Sequence, residues 1–379
     1  MGALEVRAVA GAGELKRFID LPFRLHANHP LWVPPLRIER RLFLSRRLNP
    51  FFTHGAAEYF LAWRDGRVVG RISAHVNHAF NEHHGRRWGW FGFLEFEDDA
   101  EVLAALLDAA SAWLHSRGED GLELMVGPAS FAMNDESGVL VDGFDLRPMI
   151  LQPWTPPYYQ QRLEEAGLAK AMDMYMWNLE VEDRSKVLPV IFELADQVQS
   201  KHGIRVRPMR RFQLRKDLDS FAEVYNSAWS KNWDFVPYSK ADLDNYAQEL
   251  QLVFDKHWFF IAEREDTGEV VGMAITVPDL NQVLERMRGR LLPFGWWHFV
   301  RKGRIMDRVR VGFLGVKPEY QHTGVAAKLY VEHFNAAATR RQSGGEMGWI
   351  LETNTAMNRG MEAMGGRIVK TYRVYERKL

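Results

Sequence analysis

The residues best suited to chemistry in this sequence lie near its C-terminus, where Gln321, Gly324 and Ala326 are spaced as Gln-x-x-Gly-x-Ala. This turn opens directly onto a helical pattern, and the first amides of a helix have no partner within the helix. Their aligned N–H groups, together with the helix dipole, form a site that favours a pyrophosphate. The spacing therefore predicts a binding loop for a phosphorylated carrier molecule.

The elements around this loop are those needed to position it. A run of β-branched and apolar residues at 309–316 predicts a strand before the loop. After the loop, apolar residues recur at helical spacing from Ala326 to Ala337. A second strand is predicted for 348–352, and then a short helix from Asn354 to Met364 that ends at a glycine pair.

This order of strand, loop, helix, strand and Asn-led helix resembles the C-terminal half of the GNAT superfamily of acyl-CoA-dependent N-acyltransferases. In that superfamily the loop amides hold the pyrophosphate of coenzyme A, and the preceding strand pairs with the pantetheine arm. The resemblance implies acyl-CoA or acetyl-CoA as co-substrate and no metal. The coenzyme-binding residues that it implies are Leu314, Gly315, Val316, Gln321, His322, Thr323, Gly324, Val325, Ala326, Asn354 and Asn358.

A GNAT-type reaction has no covalent enzyme intermediate, because the amine attacks the thioester directly. An alkylamine of pKa near 10 is mostly protonated at neutral pH, so making it nucleophilic costs roughly 4 kcal/mol. A carboxylate is therefore expected to receive the amine proton, directly or through water. Glu352, at the end of the second strand, and Asp307, at the entrance to the first, are the candidates.

One position departs from the superfamily pattern. Many members place a tyrosine in the last helix to protonate the departing thiolate, and this sequence has Met361 there. A thioether cannot donate a proton. Either Tyr372 or Tyr375 in the terminal strand replaces it, or the thiolate leaves unaided, since a thiol pKa of about 8.5 makes that a modest penalty.

The sequence also contains a weak internal repeat. Tyr59–Val76 has the pattern of a hairpin, and Trp258–Val277 repeats it about 200 residues later. Each copy continues with a strand, a helix, a strand and a second helix. We therefore expect an α/β (α+β) fold with two GNAT-like domains, 1–182 and 183–379. Each is expected to be a mixed, mostly antiparallel sheet flanked by helices.

The two copies differ at the loop. In the first copy the corresponding strand runs into Glu97-Asp98-Asp99 at a helix start, with no glycine turn. Carboxylates at that position satisfy the helix amides and repel a pyrophosphate. We expect the N-terminal copy not to bind coenzyme A.

Composition excludes several classes of function. The formal net charge is +0, which argues against a nucleic-acid partner. The absence of cysteine removes thiolate nucleophiles and zinc-thiolate sites. The histidines at 75, 78, 83 and 84 lie partly in a predicted strand and partly in the loop after it, so no metal site is expected. There is no apolar run of membrane-spanning length and no signal-peptide core, and the expected location is cytoplasmic.

The segment 278–308 is much longer than its counterpart in the first copy. It mixes aromatic and aliphatic residues with arginines, including Trp296, Trp297 and Arg290. Two interpretations remain open for it. It is either a lid that packs on the N-terminal domain, or a lipid-contacting element that gives peripheral membrane contact through 286–304 at the inner membrane face.

Four blocks of sequence point to one group within the superfamily. They lie at 18–52, 133–149, 225–237 and 292–295. They are similar to the bacterial ceramide synthases, which join a long fatty acyl group to a sphingoid amine. The implied function is an acyl-CoA-dependent N-acyltransferase acting on a primary amine, with a sphingoid or other lipid amine as the finer expectation. A small-molecule N-acetyltransferase, a two-domain aminoacyl-transferring enzyme and a non-catalytic acyl-CoA sensor are the alternatives.

Overall fold

The computed structural model describes residues 2–117, 121–180, 184–230, 232–233, 235–237 and 240–379. The chain divides into two compact units. Unit 1 comprises residues 1–174, 283–300 and 370–379, and unit 2 comprises residues 175–282 and 301–369. The predicted domain boundary, between residues 182 and 183, lies outside the described residues.

The described residues form strands and helices in the following chain order. The strands are β1 (Leu4–Ala8), β2 (Gly55–Arg64), β3 (Arg67–Asn77), β4 (Trp88–Phe96), β5 (Leu124–Gly127), β6 (Ala129–Ser130), β7 (Ala132–Ser137), β8 (Val139–Asp142), β9 (Ala169–Glu180), β10 (Ile204–Pro208), β11 (Phe259–Arg264), β12 (Val270–Pro278), β13 (Arg308–Val316), β14 (Gly344–Leu351) and β15 (Arg367–Lys378). The α-helices are α1 (Gly11–Leu25), α2 (Arg37–Phe43), α3 (His78–His84), α4 (Ala100–His115), α5 (Tyr158–Glu165), α6 (Pro189–His202), α7 (Leu214–Trp229), α8 (Lys240–Val253), α9 (Asn281–Met287), α10 (Gly295–Val300), α11 (Lys302–Ile305), α12 (Val325–Ala338) and α13 (Thr355–Ala363).

Unit 1 is built on a mixed sheet. Strands β1 to β4 pair antiparallel in chain order, and β5 joins β4 in parallel. The next strand is the C-terminal part of β15, where Tyr375 lies opposite Gly127. Helix α4 packs closely on this sheet because Gly70 in β3 has no side chain: a Cβ there would lie 2.7 Å from the side chain of Leu106, which is fully buried.

Unit 2 repeats this arrangement. Strands β10 to β13 pair antiparallel in chain order, and β14 joins β13 in parallel. Alternate residues of β11 point to opposite faces of the sheet, as strand geometry requires. Phe260 and Ala262 pack with α6 and α12, whereas Phe259 and Ile261 pack with α7.

The structure confirms the predicted mixed α/β class and both hairpins of the repeat. The first hairpin turns at Asp65-Gly66, where both residues adopt the positive φ that this short turn requires. Strands β9 and β15 each contribute residues to both units. Among the described residues, no helix has both the length and the apolar character needed to cross a bilayer.

Candidate active site

The central feature of unit 2 is a gap between two parallel strands. Residues 308–311 of β13 pair with residues 344–347 of β14, but β13 continues to Val316 and β14 to Leu351 without further pairing between them. Among the described residues, the later half of β13 therefore has no β14 partner on that edge. Unpaired backbone N–H and C=O groups on a strand edge can bind an extended chain in register.

An irregularity in β13 marks the point where the gap opens. On its other edge β13 pairs with β12, and the register shifts between Ile275 and Thr276, so that Phe313 and Val311 lie opposite these two residues. Gly312 is the extra residue of this bulge, and it is exposed. A bulge re-aims the backbone groups of the strand that carries it. The gap therefore begins at a backbone whose amides are turned away from the regular ladder.

The three strand residues predicted to contact the pantetheine arm lie in the unpaired half of β13. Leu314 and Val316 are buried in the core that includes α6 and α12. Gly315 lies against α7, and a Cβ there would come within 2.2 Å of the indole of Trp229. A side chain at position 315 would thus collide with the Trp229 ring, which packs against the backbone at the edge of the gap.

The loop after β13 has the geometry expected from its sequence. Residues Pro318–Thr323 form a tight 3₁₀ turn, and Gly324 follows with φ of +81°. Only glycine adopts this left-handed conformation without strain, and a Cβ at Gly324 would lie 3.1 Å from the carbonyl oxygen of Leu194. The Lys328 amide donates the first hydrogen bond of α12, to the Gly324 carbonyl. The four amides from Gly324 to Ala327 thus begin the helix without intrahelical acceptors.

The other predicted loop residues hold this turn in place. Gln321 donates from Nε2 to the Val316 carbonyl at 3.3 Å, and the Thr323 hydroxyl donates to the Tyr320 carbonyl at 2.6 Å. His322 is exposed at the helix start, and Val325 is fully buried beneath it. Glycine supplies no capping side chain at Gly324. The side chains therefore stabilise the loop without capping the helix start, where the first amides and the helix dipole favour an anion.

A charged clamp at the base of the loop was missed by the sequence reasoning. The buried Nζ of Lys317 donates to Glu223 at 2.5 Å and to Glu269 at 2.9 Å, and the Tyr320 hydroxyl donates to the second oxygen of Glu269. Burial opposes the charge on Lys317, but the two carboxylates raise its pKa above the ordinary value. The lysine therefore stays charged and fixes the end of β13 where the loop begins. The sequence carried only a weak signal for this clamp, a lysine before a proline.

Glu352 and Asp307 lie in different settings within unit 2. Glu352 is half-buried and directly follows β14, at the open end of the gap. Asp307 is exposed and precedes β13 at the paired end, where Oδ1 accepts a hydrogen bond from Gln282 at 2.6 Å. At about 3.3 Å per residue, the five residues from Asp307 to the bulge at Gly312 span roughly 16 Å. Glu352 and Asp307 thus lie at opposite ends of the β13–β14 pair, and the role of either as the base stays a prediction.

Asn354 and Asn358 fix the turn that carries Glu352. The Asn354 side chain caps α13 by accepting from the Met357 amide at 3.1 Å. Asn358 donates to the Leu351 carbonyl at 3.1 Å and accepts from the indole N–H of Trp177 at 2.9 Å. Both hydrogen-bonding asparagines therefore have structural partners, and a direct contact of either with coenzyme A stays a prediction.

The tyrosines proposed as proton donors are deeply buried. Met361 is completely buried in α13, within the core of unit 2. Tyr372 and Tyr375 are also completely buried, but they lie in the part of β15 that belongs to unit 1. The Tyr375 hydroxyl donates to Glu164 at 3.2 Å, and burial, with the nearby carboxylate, raises its pKa. Raising the pKa makes this phenol a weaker acid, and its role as a proton donor stays a prediction.

Tyr330 is a hydroxyl in unit 2 that the sequence reasoning did not single out. It lies in α12, and its oxygen is 3.1 Å from the Met357 sulfur of α13. A Cβ at Gly360 would come within 3.4 Å of the same oxygen. Burial raises the pKa of Tyr330, which favours the protonated phenol at neutral pH.

In unit 1 the equivalent gap is filled by the chain itself. Strands β4 and β5 pair in parallel only from Trp88 to Trp90, and β4 then continues to Phe96. The Ala129 carbonyl of β6 lies 1.9 Å from where a Cβ on Gly92 would be. Phe131 follows, stacked on Phe51 with ring centroids 4.5 Å apart. The edge that is open in unit 2 is thus covered in unit 1 by backbone and an aromatic side chain.

The three acids at the start of α4 have separate partners. Asp99 caps the helix by accepting from the amides of Glu101 and Val102. Glu97 accepts two hydrogen bonds from Arg67, and Asp98 accepts one from Arg162 at 2.7 Å. Only Asp99 satisfies the helix amides as expected, and all three acids pair with arginines, Asp99 with Arg64. This helix start is occupied by a carboxylate of the protein.

Comparison with known proteins identifies the family. No protein-family model matches the chain. It is 36% identical to the bacterial ceramide synthase of Caulobacter vibrioides, over 99% of this chain and 98% of that protein. The chain belongs to the bacterial ceramide synthase family. It is also 34% identical to Protein YghO of Escherichia coli, over 99% of this chain and 95% of that protein.

Solved structures support the fold of this family member. A tandem GNAT protein from the clavulanic acid biosynthesis pathway covers 99% of the chain and 98% of its own length, with a TM-score of 0.59 and 13% identity. A GCN5-related N-acetyltransferase from Sphaerobacter thermophilus covers 99% and 95%, with a TM-score of 0.54 and 12% identity. The predicted tandem GNAT architecture is thereby confirmed, and with the family it makes the chain an N-acyltransferase of the GNAT type.

Proposed function

We propose that the protein transfers an acyl group from a coenzyme A thioester to the nitrogen of a primary amine. The observation that carries this proposal is the open gap between β13 and β14, which leads directly to the amides of Gly324–Ala327. The gap accepts an extended arm and the helix start accepts a pyrophosphate. The extended arm of an acyl-CoA thus matches the gap, and its pyrophosphate matches the adjacent helix start of unit 2.

The reaction follows from this placement of the donor. The amine nitrogen attacks the thioester carbonyl carbon, the carbon–sulfur bond breaks, and the electron pair leaves with the sulfur. Backbone amides at the Gly312 bulge polarise the carbonyl oxygen, since fixed donors stabilise the charge that develops there. Glu352 accepts the proton that the amine loses, with Asp307 as the second candidate. The thiolate takes a proton from solvent or from a tyrosine, for which Tyr372 and Tyr375 are the proposed donors.

The finer proposal is a long-chain acyl group and a lipid amine. The relative from Caulobacter vibrioides is named a ceramide synthase, and it aligns over almost the full length of this chain. An acceptor of the sphingoid class is therefore our first choice. Such an acceptor partitions into membranes, and we propose that the enzyme works as a peripheral protein at the inner membrane face.

A free-thiol assay tests the donor and the acceptor together. Acetyl-CoA and palmitoyl-CoA are each combined with a panel of amines that includes sphingoid bases and small polyamines. We expect thiol release with palmitoyl-CoA and a sphingoid base. Release with acetyl-CoA and small amines alone would instead assign a small-molecule N-acetyltransferase, and tight acyl-CoA binding without release under any amine would indicate a sensor.

A further inference from the structure

One surface of unit 1 exposes large apolar side chains to an unusual degree. In the segment 286–300, Phe294 is 79% exposed, Leu292 is 72% exposed and Val300 is 65% exposed. Trp296 and Trp297 are each about half exposed on the short helix α10. Scattered single apolar residues are normal on a protein surface, but a contiguous group of this size marks an interaction site.

Helix α2 adds to the same surface. The backbone carbonyl of Gly289 accepts a hydrogen bond from the Arg37 amide at 3.3 Å, at the start of α2. Gly289 has no room for a side chain, since a Cβ there would lie 2.3 Å from the ring of Phe23 in α1. One turn apart on α2, Ile38 is 56% exposed and Leu42 is 52% exposed. We call α2 and residues 286–300 together the aromatic-arginine surface.

The charge of residues 286–300 within this surface is one-sided. Residues 286–300 contain three arginines and no aspartate or glutamate. Arg286, Arg288 and Arg290 are exposed, and within the described part of the chain none of them has a carboxylate partner. The nearest acid along the chain, Glu285, pairs with Arg147. The chain as a whole has no net charge, so this local excess of positive charge is a property of the surface.

The anchoring contacts show that the segment is held in this exposed conformation. The guanidinium of Arg37 lies 3.5 Å from the centre of the Phe23 ring and donates to Asp20 at 2.6 Å. The Trp296 indole N–H donates to the Pro293 carbonyl at 2.8 Å. Its polar atom is thus satisfied within the segment. A tryptophan with an internal polar partner and neighbouring arginines suits the boundary between lipid headgroups and acyl chains.

We propose that the aromatic-arginine surface docks the protein onto an anionic lipid bilayer. Exposed apolar side chains enter the headgroup region, where each buried methylene contributes favourably, while the arginines face lipid phosphates. Charge complementarity favours a bilayer over a second copy of this chain, because two identical surfaces would bring unpaired arginines together. The inference deepens the proposed lipid acceptor and rests on it in part.

Vesicle flotation without acyl-CoA or amine tests the docking independently of catalysis. The full chain is mixed with vesicles of phosphatidylcholine alone or of phosphatidylcholine with phosphatidylglycerol. We expect binding to the anionic vesicles that weakens as salt is raised. Failure to bind either vesicle would overturn the proposal, even if the thiol assay showed full activity with a lipid amine.

Two variants assign the binding to this surface. The double substitution Phe294→Ser and Val300→Ser is expected to weaken partitioning at least about tenfold. Substituting Arg286→Gln and Arg290→Gln is expected to reduce binding to anionic vesicles about 25-fold, at about fivefold per charge. The matched control is Phe212→Ser with Val190→Ser, which removes two exposed apolar side chains of unit 2 and is expected to bind like the parent.

Two results would contradict lipid docking by the aromatic-arginine surface. Equal binding of the parent and both surface variants would show that another part of the chain contacts lipid. If instead the parent dimerises in analytical ultracentrifugation and Phe294→Ser with Val300→Ser makes it monomeric, the surface belongs to a second copy. Circular dichroism and urea unfolding of each variant verify that it is folded, independently of acyl-CoA binding.

Discussion

Asn358 illustrates how single residues prepare the chemistry of the site. Its amide joins the end of β14 to α13 and to Trp177, so the turn that carries Glu352 is held from both sides. The sequence indicated both Glu352 and Asn358, from their place after a strand and in an Asn-led helix. It could not indicate the partner Trp177, because that contact joins residues 181 positions apart. Local patterns predict the residue types, whereas long-range contacts decide what each side chain does.

Replacing the proposed base should separate catalysis from binding. Glu352→Gln is expected to lower kcat about 100-fold with little change in KM for acyl-CoA, because a positioned base typically contributes 10² to 10⁴. Steady-state kinetics with the free-thiol assay measure both constants. The control is Glu362→Gln, an exposed acid of α13. Full turnover in Glu352→Gln, together with loss in Asp307→Asn, would transfer the role to Asp307.

His75 should make the fold sensitive to mild acid. It is completely buried in β3, burial lowers its pKa to about 3, and within the described residues neither ring nitrogen has a hydrogen-bond partner. A folded pKa below the unfolded value of 6.5 means that the unfolded chain takes up the proton first. The contribution of neutral His75 to the free energy of unfolding is therefore complete above pH 6.5. It is lost, by about 1.4 kcal/mol per pH unit, as pH falls towards 3.

The variant His75→Phe tests this linkage, since a phenyl ring suits the neighbouring rings of Phe51 and Phe131. Urea unfolding at pH 7, 6 and 5 is expected to show a smaller loss of stability in the variant than in the parent. His78→Phe, at an exposed histidine, should retain the parent's pH dependence. The same pH slope in His75→Phe and the parent would show that the imidazole is not the titrating group.

At the scale of secondary-structure elements, the strands and helices of the site were predictable because their signals are local. The strand pattern and the glycine turns predicted the two hairpins, and the helical spacing of apolar residues after Gly324 predicted α12. The bulge at Gly312 and the early end of the β13–β14 pairing were not predictable, because both depend on the register between strands far apart in sequence. Strands β6 and β7 were missed as well, since β6 has only two residues and the Asn, Asp and Ser of β7 are typical of a turn.

The loop glycine offers a direct test at this scale. Gly324→Ala forces a side chain into the left-handed region and towards the Leu194 carbonyl, at a cost of about 1–2 kcal/mol. We expect this variant to bind acyl-CoA at least about tenfold more weakly in calorimetry, since the amides of the helix start must shift. Gly268→Ala controls for the strain itself, because Gly268 has φ of +72° in a hairpin turn with open space around it. If both variants bind like the parent, the loop is not the pyrophosphate site.

At the scale of the whole molecule, the two copies of the architecture differ in whether one strand edge is open. In unit 2 the edge of β13 is open, and in unit 1 the corresponding edge of β4 is covered by β6 and Phe131. Where coenzyme A would bind, the sequence predicted a difference between the copies only at the loop, from the acids at 97–99 and the missing glycine turn. The covering aromatic cluster was not predictable, because Phe43, Phe51, Phe93 and Phe131 lie in four separate segments of unit 1.

The asymmetry predicts one acyl-CoA per chain. Calorimetric titration of the parent with palmitoyl-CoA below its micelle concentration should give a stoichiometry of one. Phe131→Ala should lower the free energy of unfolding by about 3–5 kcal/mol, because it empties a packed aromatic core. It should leave the stoichiometry at one, because Asp99 still caps α4. A second binding event in Phe131→Ala alone would show that the ring is all that blocks unit 1.

Strand β15 has a consequence for how the protein is made. Its residues 370–378 complete the sheet of unit 1 beside β5, although residues 175–282 and 301–369 of unit 2 come before them in the chain. A nascent chain on the ribosome therefore holds nearly all of unit 1 with the edge of β5 bare. That edge is closed only once residues 370–378 have left the ribosome, and until then it is a place where chaperones would be expected to bind.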